Sequence, residues 1–231
     1  MYVFGKNVAH EMINSNKKIN KAFIFKNLKD RDIIDELKRN NIKIEFCDKD
    51  ILNKMSKDGV HQGIILDIEN FKYSSIDELN KDNSIVVILD HIEDPHNFGA
   101  IIRTCEASGV NGIIIPKDRS VEVNSTVVKV STGTCDKVNI VQVTNLNNTI
   151  KYLKDNGFWI VGTDMIGEDY RKIDYNGKIG IVIGNEGKGM SRIVREACDF
   201  IATIPMKGTV NSLNASVAAG IVIFEASLSR K

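Results

Sequence analysis

The chain has 231 residues, 42% of them hydrophobic and 26% charged. That composition excludes wholesale disorder and leaves room, at ~100–200 residues per domain, for one large domain or one medium and one small. Thirty-one Lys and Arg against 30 Asp and Glu give a net charge of +1, which excludes nucleic-acid binding by an overall positive field, so that any such role rests on a local patch.

Near the start, the helical pattern Val8–Ile13, the apolar run Ala22–Phe25, the charged amphipathic stretch Asp30–Arg39 and the run Ile42–Phe46 describe a small α/β unit over residues 1–68. Residues 69–83 are rich in Asp, Glu, Asn, Lys and Ser without sustained periodicity and read as a linker. Beyond it, over 84–231, short apolar runs recur at Ile85–Leu89, Gly112–Ile115, Val138–Val143, Trp159–Gly162, Lys178–Ile183 and Phe200–Ile204. Strands that are apolar throughout are buried on both faces, as in a parallel sheet covered by helices. The expected fold is therefore α/β in both parts.

Cys47, Cys105, Cys135 and Cys198 are far apart and form no C-x-x-C pair, so neither a zinc site nor a disulfide framework is expected. The N-terminus lacks a basic region followed by an apolar stretch, and no apolar run approaches the ~18 residues of a membrane span. The expected location is the cytoplasm, with no membrane partner.

In open α/β sheets, ligands sit outside the carboxyl ends of the strands, so polar residues just after strands are where chemistry is sought. Three loops qualify. The first follows Ile85–Leu89 and runs from Asp90 to Thr104, with Asp94-Pro95 as a helix start, Ile101, Ile102 and Cys105 as the buried face, and Asn97 and Arg103 elsewhere on the helix. Arg103 alone reads equally as a solvated charge or the partner of Glu106.

The second loop, Ile183–Ser191, carries Gly184, Gly187 and Gly189 in the order G-x-x-G-x-G. The dinucleotide fingerprint is G-x-G-x-x-G, and the phosphate loop would need glycine at Val182 and Ser or Thr at Gly189. A glycine turn that carries Glu186 suits a neutral or cationic ligand; a tight strand-to-helix turn is the plainer explanation. The third loop, Ile204–Ser216, places Ser212, Asn214 and Ser216 before the apolar helix Val217–Leu228, where helix capping accounts for one of them.

Together the three segments, N-F-G-A-I-I-R-T at 97–104, G-N-E-G-K-G at 184–189 and I-P-M-K-G-T-V-N-S-L-N-A-S at 204–216, resemble the SpoU/TrmH family of RNA ribose 2′-O-methyltransferases over residues 84–231. The pieces Val3–Ala9 and His61–Ile65 are similar to the small, L30e-like substrate-binding domain of those members that methylate a guanosine ribose in large-subunit 23S ribosomal RNA. The resemblance implies a C-terminal trefoil knot, S-adenosylmethionine as methyl donor, a homodimer and ribosomal RNA as partner. It implies that Arg103, Asn97, Glu186, Ser212 and Asn214 form the catalytic end, and that Gly184, Ile204 and Leu213 hold the adenosyl group.

Methyl transfer to a hydroxyl requires alignment and the handling of one proton. A guanidinium with a pKa above ~12 serves better to position phosphate and hydroxyl than to deprotonate. For RNA contact, Lys17, Lys18, Lys21, Lys26 and Lys29 occur within Asn14–Lys29 without an acidic residue, and His61 and Gln62 are further candidates. The alternatives are a transfer-RNA ribose or an antibiotic-blocking ribosomal site as target, and a non-catalytic RNA-binding or ribosome-assembly protein.

Overall fold

The computed structural model describes residues 1–14, 18–57, 59–210 and 212–230. The chain divides into two compact units, Met1–Lys72 with Val123–Gly133, and Tyr73–Glu122 with Thr134–Lys231.

The first unit runs β1 (Tyr2–Phe4), α1 (Lys6–Ile13), β2 (Ile19–Phe25), α2 (Arg31–Arg39), β3 (Ile44–Cys47), α3 (Lys49–Ser56) and β4 (Ile64–Ile68). Its sheet has the order β1-β4-β2-β3, with β4 antiparallel to both β1 and β2, and β2 parallel to β3. In β2 the alternation does the sorting: Ala22 and Ile24 are fully buried while Lys21, Phe23 and Phe25 are half-exposed. Asp30 caps α2, and Ile33 and Leu37, four apart on one stripe, carry its burial. Helix α3 has no clear signal in the sequence. Only Leu52 and Ser56 are buried along its eight residues, too few to write a period.

The second unit begins with β5 (Ile85–Asp90), α4 (Pro95–Ser108) and β6 (Gly112–Pro116). After α5 (Ser125–Val130), which belongs to the first unit, come β7 (Asn139–Val143), α6 (Leu146–Asp155), β8 (Phe158–Asp169), β9 (Lys178–Gly184), α7 (Arg192–Ala197), β10 (Phe200–Thr203) and α8 (Ala215–Leu228). The sheet order is β10-β8-β9-β5-β6-β7, all pairs parallel. Every residue of β5 and β6 is buried, which is why these strands read as unbroken apolar runs. From β5 the chain goes to β6 and β7 on one side and later fills the other side with β8 to β10. The strand order therefore reverses between β5 and β9, and their carboxyl ends flank the switch point.

Two boundaries differ from the sequence reading. Within 69–83, a 3-10 turn at Ile76–Leu79 is closed by a capping box between Ser75 and Glu78, and Leu79 is fully buried with Val86, Ile88 and Ile114 in the core of the second unit. One buried leucine in a polar stretch anchors what composition presents as a linker. Conversely, α5 lies inside 84–231 in sequence but packs on β1; the partner of a short helix is a matter of packing that periodicity does not encode. Strand β8 also outruns its apolar core: Thr163–Asp169 are not buried, and they join the sheet through β10 with a register shift at Ile201/Ala202.

Helices α4 and α8 lie side by side with their carboxyl ends together, Ser227 Oγ donating to Ser108 O at 2.6 Å. Just beyond α8, the Arg230 guanidinium donates to Asn83 O and Gly177 O, which precede β5 and β9. Fourteen helical residues span ~21 Å and six strand residues ~20 Å, so the amino ends of α4 and α8 return to the carboxyl end of the sheet.

Candidate functional site

At that end, Asp90 of β5 stands opposite Gly184 of β9. Asp90 is 1% exposed. Its Oδ1 lies 2.6 Å from His91 Nδ1, and its Oδ2 accepts from the Ser191 amide at 2.6 Å, so the buried carboxylate is bonded at both oxygens. His91 has φ 61, a conformation uncommon outside glycine.

The glycine segment folds back on itself. Asn185 and Gly189 exchange backbone bonds at 3.0 and 2.8 Å, and Asn185 Oδ1 accepts from the amides of Gly187 and Lys188. Asn185 Nδ2 donates to His91 O at 2.7 Å, tying the turn to the end of β5. A Cβ on Gly184 would lie 2.5 Å from Gly189 C and Met190 N, a contact no side chain tolerates; glycine stands there because two stretches of backbone touch.

Asp94 caps α4 with Pro95 in the first turn. The His96 amide holds the Asp94 carboxyl below the usual carboxylate range. This start places Asn97, 6% exposed, so that its Nδ2 donates to Glu186 Oε1. The first and second loops thus meet in the folded chain.

Among the described residues, none of the other proposed site residues is hydrogen-bonded to the side chains of that pair. The Arg103 side chain is exposed and makes no hydrogen bond or ion pair among the described residues; the pairing with Glu106 is not formed. It sits six positions beyond Asn97, about 9 Å along the axis and about a third of a turn around it. Glu186 therefore engages Asn97, and not Arg103. Ile204 and Leu213 are half-buried and Ser212 is exposed. Asn214 caps α8, its Oδ1 accepting from Ser216 N at 2.9 Å and Ser216 Oγ at 2.6 Å, as the plainer explanation had it.

In the first unit, Lys17 lies outside the described residues. The lysine-rich stretch has no acid of its own, but folding brings acids to it: Lys21 pairs with Glu45, Lys26 with Asp48 at 3.0 Å, and Lys18 approaches Glu69 at 3.9 Å. His61 turns inward, 7% exposed; its Nε2 lies 2.9 Å from Asn53 Oδ1 and its Nδ1 accepts from Gly63 N at 3.0 Å. Burial lowers its pKa. Gln62 is exposed at φ 53, and its Oε1 accepts from Lys6 N at 2.9 Å.

Sequence reasoning passed over Asp90, His91 and Asn185. A signal for the first was present: Ile-Val-Val-Ile-Leu-Asp ends an apolar strand on a carboxylate, which burial there makes costly unless it is bonded.

The model of the SpoU rRNA Methylase family matches residues 84–224, and that of RNA 2'-O ribose methyltransferase substrate binding matches residues 2–74. YacO of Bacillus subtilis, whose name places it among TrmH family tRNA/rRNA methyltransferases, is 41% identical over 97% of this chain and 94% of its own. A relative from Staphylococcus saprophyticus with the same family designation is 46% identical over 96% and 93%. Among solved structures, the AdoMet bound rRNA methyltransferase from Sinorhizobium meliloti is similar with a TM-score of 0.81 at 25% identity, covering 97% of this chain and 85% of that one. The SpoU methyltransferase AviRb from Streptomyces viridochromogenes shares the fold with a TM-score of 0.84 at 24% identity, covering 99% and 90%.

A parallel α/β sheet whose switch-point loops converge in this way, with these relatives, defines an RNA methyltransferase. The chain belongs to the SpoU rRNA methylase family. Among the described residues no helix is long and apolar enough to cross a membrane, and no group of three or more His, Cys, Asp or Glu could hold a metal ion.

Proposed function

We propose that the protein transfers a methyl group from S-adenosylmethionine to a ribose 2′-hydroxyl, that of a guanosine in large-subunit 23S ribosomal RNA, as enzymes of the RlmB type do. The observation that carries this reading is the bond between Asn97 and Glu186. It joins two loops 89 residues apart at the end of the sheet where α/β enzymes bind ligands. The substrate-binding match over residues 2–74 supports a ribose 2′-hydroxyl of RNA as acceptor.

The residues fit the donor. Gly184, Gly187 and Gly189 present main chain without side chains, and Glu186 supplies negative charge suited to a sulfonium. Gly184, Ile204 and Leu213 hold the adenosyl group, the last two by half-buried apolar surface. When bound, S-adenosylmethionine supplies an electrophilic methyl group. Asn97 fixes Glu186. The unpaired Arg103 guanidinium reaches the RNA phosphate and the target hydroxyl, placing the oxygen in line and stabilising the charge that develops on it. Ser212 and Asn214 complete the catalytic end, Asn214 by setting the first turn of α8.

RNA lies on the first unit through Lys17, Lys18 and Lys21 and the His61-Gln62 turn; inward-facing His61 shapes the turn that presents Gln62. The C-terminal segment carries the family's trefoil knot. The enzyme works in the cytoplasm, where its RNA is made, as a homodimer; Val217, Phe224 and Leu228, exposed along one face of α8, supply apolar surface for the second copy. A nucleotide-resolution map of ribose methylation, with and without the protein, tests the reading. Loss of one large-subunit guanosine mark on deletion supports it, and loss of a transfer-RNA mark moves the target. An unchanged map together with no binding of S-adenosylmethionine would return the protein to a non-catalytic RNA-binding role.

A further inference from the structure

We infer that Asp90 is a positioning residue for methyl transfer, a buried clamp that holds the Gly184–Ser191 segment in the conformation that receives the methyl donor. The inference deepens the reading just proposed and rests on it.

Asp90 is the last residue of β5 and is 1% exposed. A carboxylate so deeply placed is rare unless its oxygens are bonded, because water no longer solvates its charge. Here each oxygen has one partner, Ser191 just past the glycine turn and His91 next in the chain. Oδ2 accepts from the amide of Ser191, just past the turn, at 2.6 Å. Oδ1 meets Nδ1 of His91 at 2.6 Å, and the His91 carbonyl takes the Asn185 Nδ2 bond, at the start of the turn, at 2.7 Å. The segment is thus pinned at both ends to the end of one strand. Between the pins, among the described residues, the Asn185–Gly189 bridge and the Asn185 side chain brace it internally.

The segment needs such pins. Three of the six residues Gly184–Gly189 are glycine, so its unbound conformational freedom is large. Ser191 precedes α7, and the Asp90 carboxylate accepts from its amide. His91 holds φ 61, a strained backbone that persists only where surrounding bonds fix it; Asp90 and Asn185 provide those bonds. The glycines present their backbone to the donor, and Glu186 reaches Asn97, from one segment. Loosening it moves both the donor's seat and the acidic side chain beside the reaction centre.

The test uses the full chain carrying Asp90→Ala and, separately, Asp90→Asn, whose amide oxygen still accepts from the Ser191 amide. Calorimetry gives the affinity for S-adenosylmethionine, steady-state methylation of RNA separates KM for donor, KM for RNA and kcat, and amide hydrogen exchange follows Gly187 to Ser191. Asp90→Ala is expected to weaken donor binding about tenfold or more, as for a buried partner removed. KM for RNA stays unchanged, and the Ser191 amide exchanges at least tenfold faster while amides in α4 keep their protection. Asp90→Asn is expected to recover most of both effects. A folded Asp90→Ala protein with donor affinity and Ser191 exchange within twofold of the parent overturns the clamp. Should the parent itself bind no S-adenosylmethionine, the proposed function fails, and the exchange measurement still decides whether Asp90 holds the segment. Should Asp90→Ala fail to fold, Asp90→Ser, whose hydroxyl is one bond too short to reach the Ser191 amide, takes its place: faster exchange at Ser191 supports the clamp, and parent-like exchange overturns it.

Discussion

The two loops that follow β9 and β10 are built on opposite plans. The turn after β9 bonds to itself through Asn185 and Gly189 and to β5 through Asn185 and Ser191. The loop after β10 is longer and more polar, and among the described residues Pro205–Leu213 form no hydrogen bond to the rest of the chain. Asn214 alone is engaged, in capping α8. The protein thus prefabricates one wall of its candidate site and leaves the other to be defined by packing. Preorganised groups cost no reorganisation when a ligand arrives, whereas free ones are ordered at the expense of binding energy.

Four substitutions test that contrast. The largest effect on activity is expected from Arg103→Ala, which lowers tritium transfer from labelled S-adenosylmethionine to RNA by about 100-fold or more, with donor affinity by calorimetry unchanged. Because Arg103 is exposed and unpaired, its removal shifts stability by no more than about 0.5 kcal/mol. Gly184→Ala forces a Cβ against the backbone of Gly189 and Met190 and costs about 1–3 kcal/mol. It lowers the thermal midpoint and the donor affinity together, as the prefabricated wall predicts. Asn97→Ala removes the bond to Glu186, leaves the turn pinned to β5, and costs about 1 kcal/mol in urea unfolding with a larger loss in kcat than in donor affinity. Ser212→Ala, in the free loop, leaves the urea midpoint unchanged. Destabilisation there as large as at Gly184 would erase the distinction between the two loops.

Much of this was legible in the residues. The apolar runs mark β5, β6 and β9 because both faces of those strands are covered, and Asp94-Pro95 announces α4 because a capping carboxylate and a preset φ are local properties. Helix α3 and the tail of β8 were not legible, since neither buries enough side chains to write a period. The lysine stretch of the first unit misled in another way. Its acidic partners Glu45, Asp48 and Glu69 come from other elements, so counting charges along the chain overstates the positive surface.

The sequence by itself determined most of the elements, the glycines and the three polar loops, because capping, turn geometry and two-sided burial act over a few neighbouring residues. Only the tertiary structure decided that Asn97 meets Glu186, that Asp90 spans the glycine turn, that His61 faces inward and that residues 123–133 pack with the first unit. Each of those facts joins positions distant in the chain, and a bond between them exists only after the sheet has set which strand ends lie side by side.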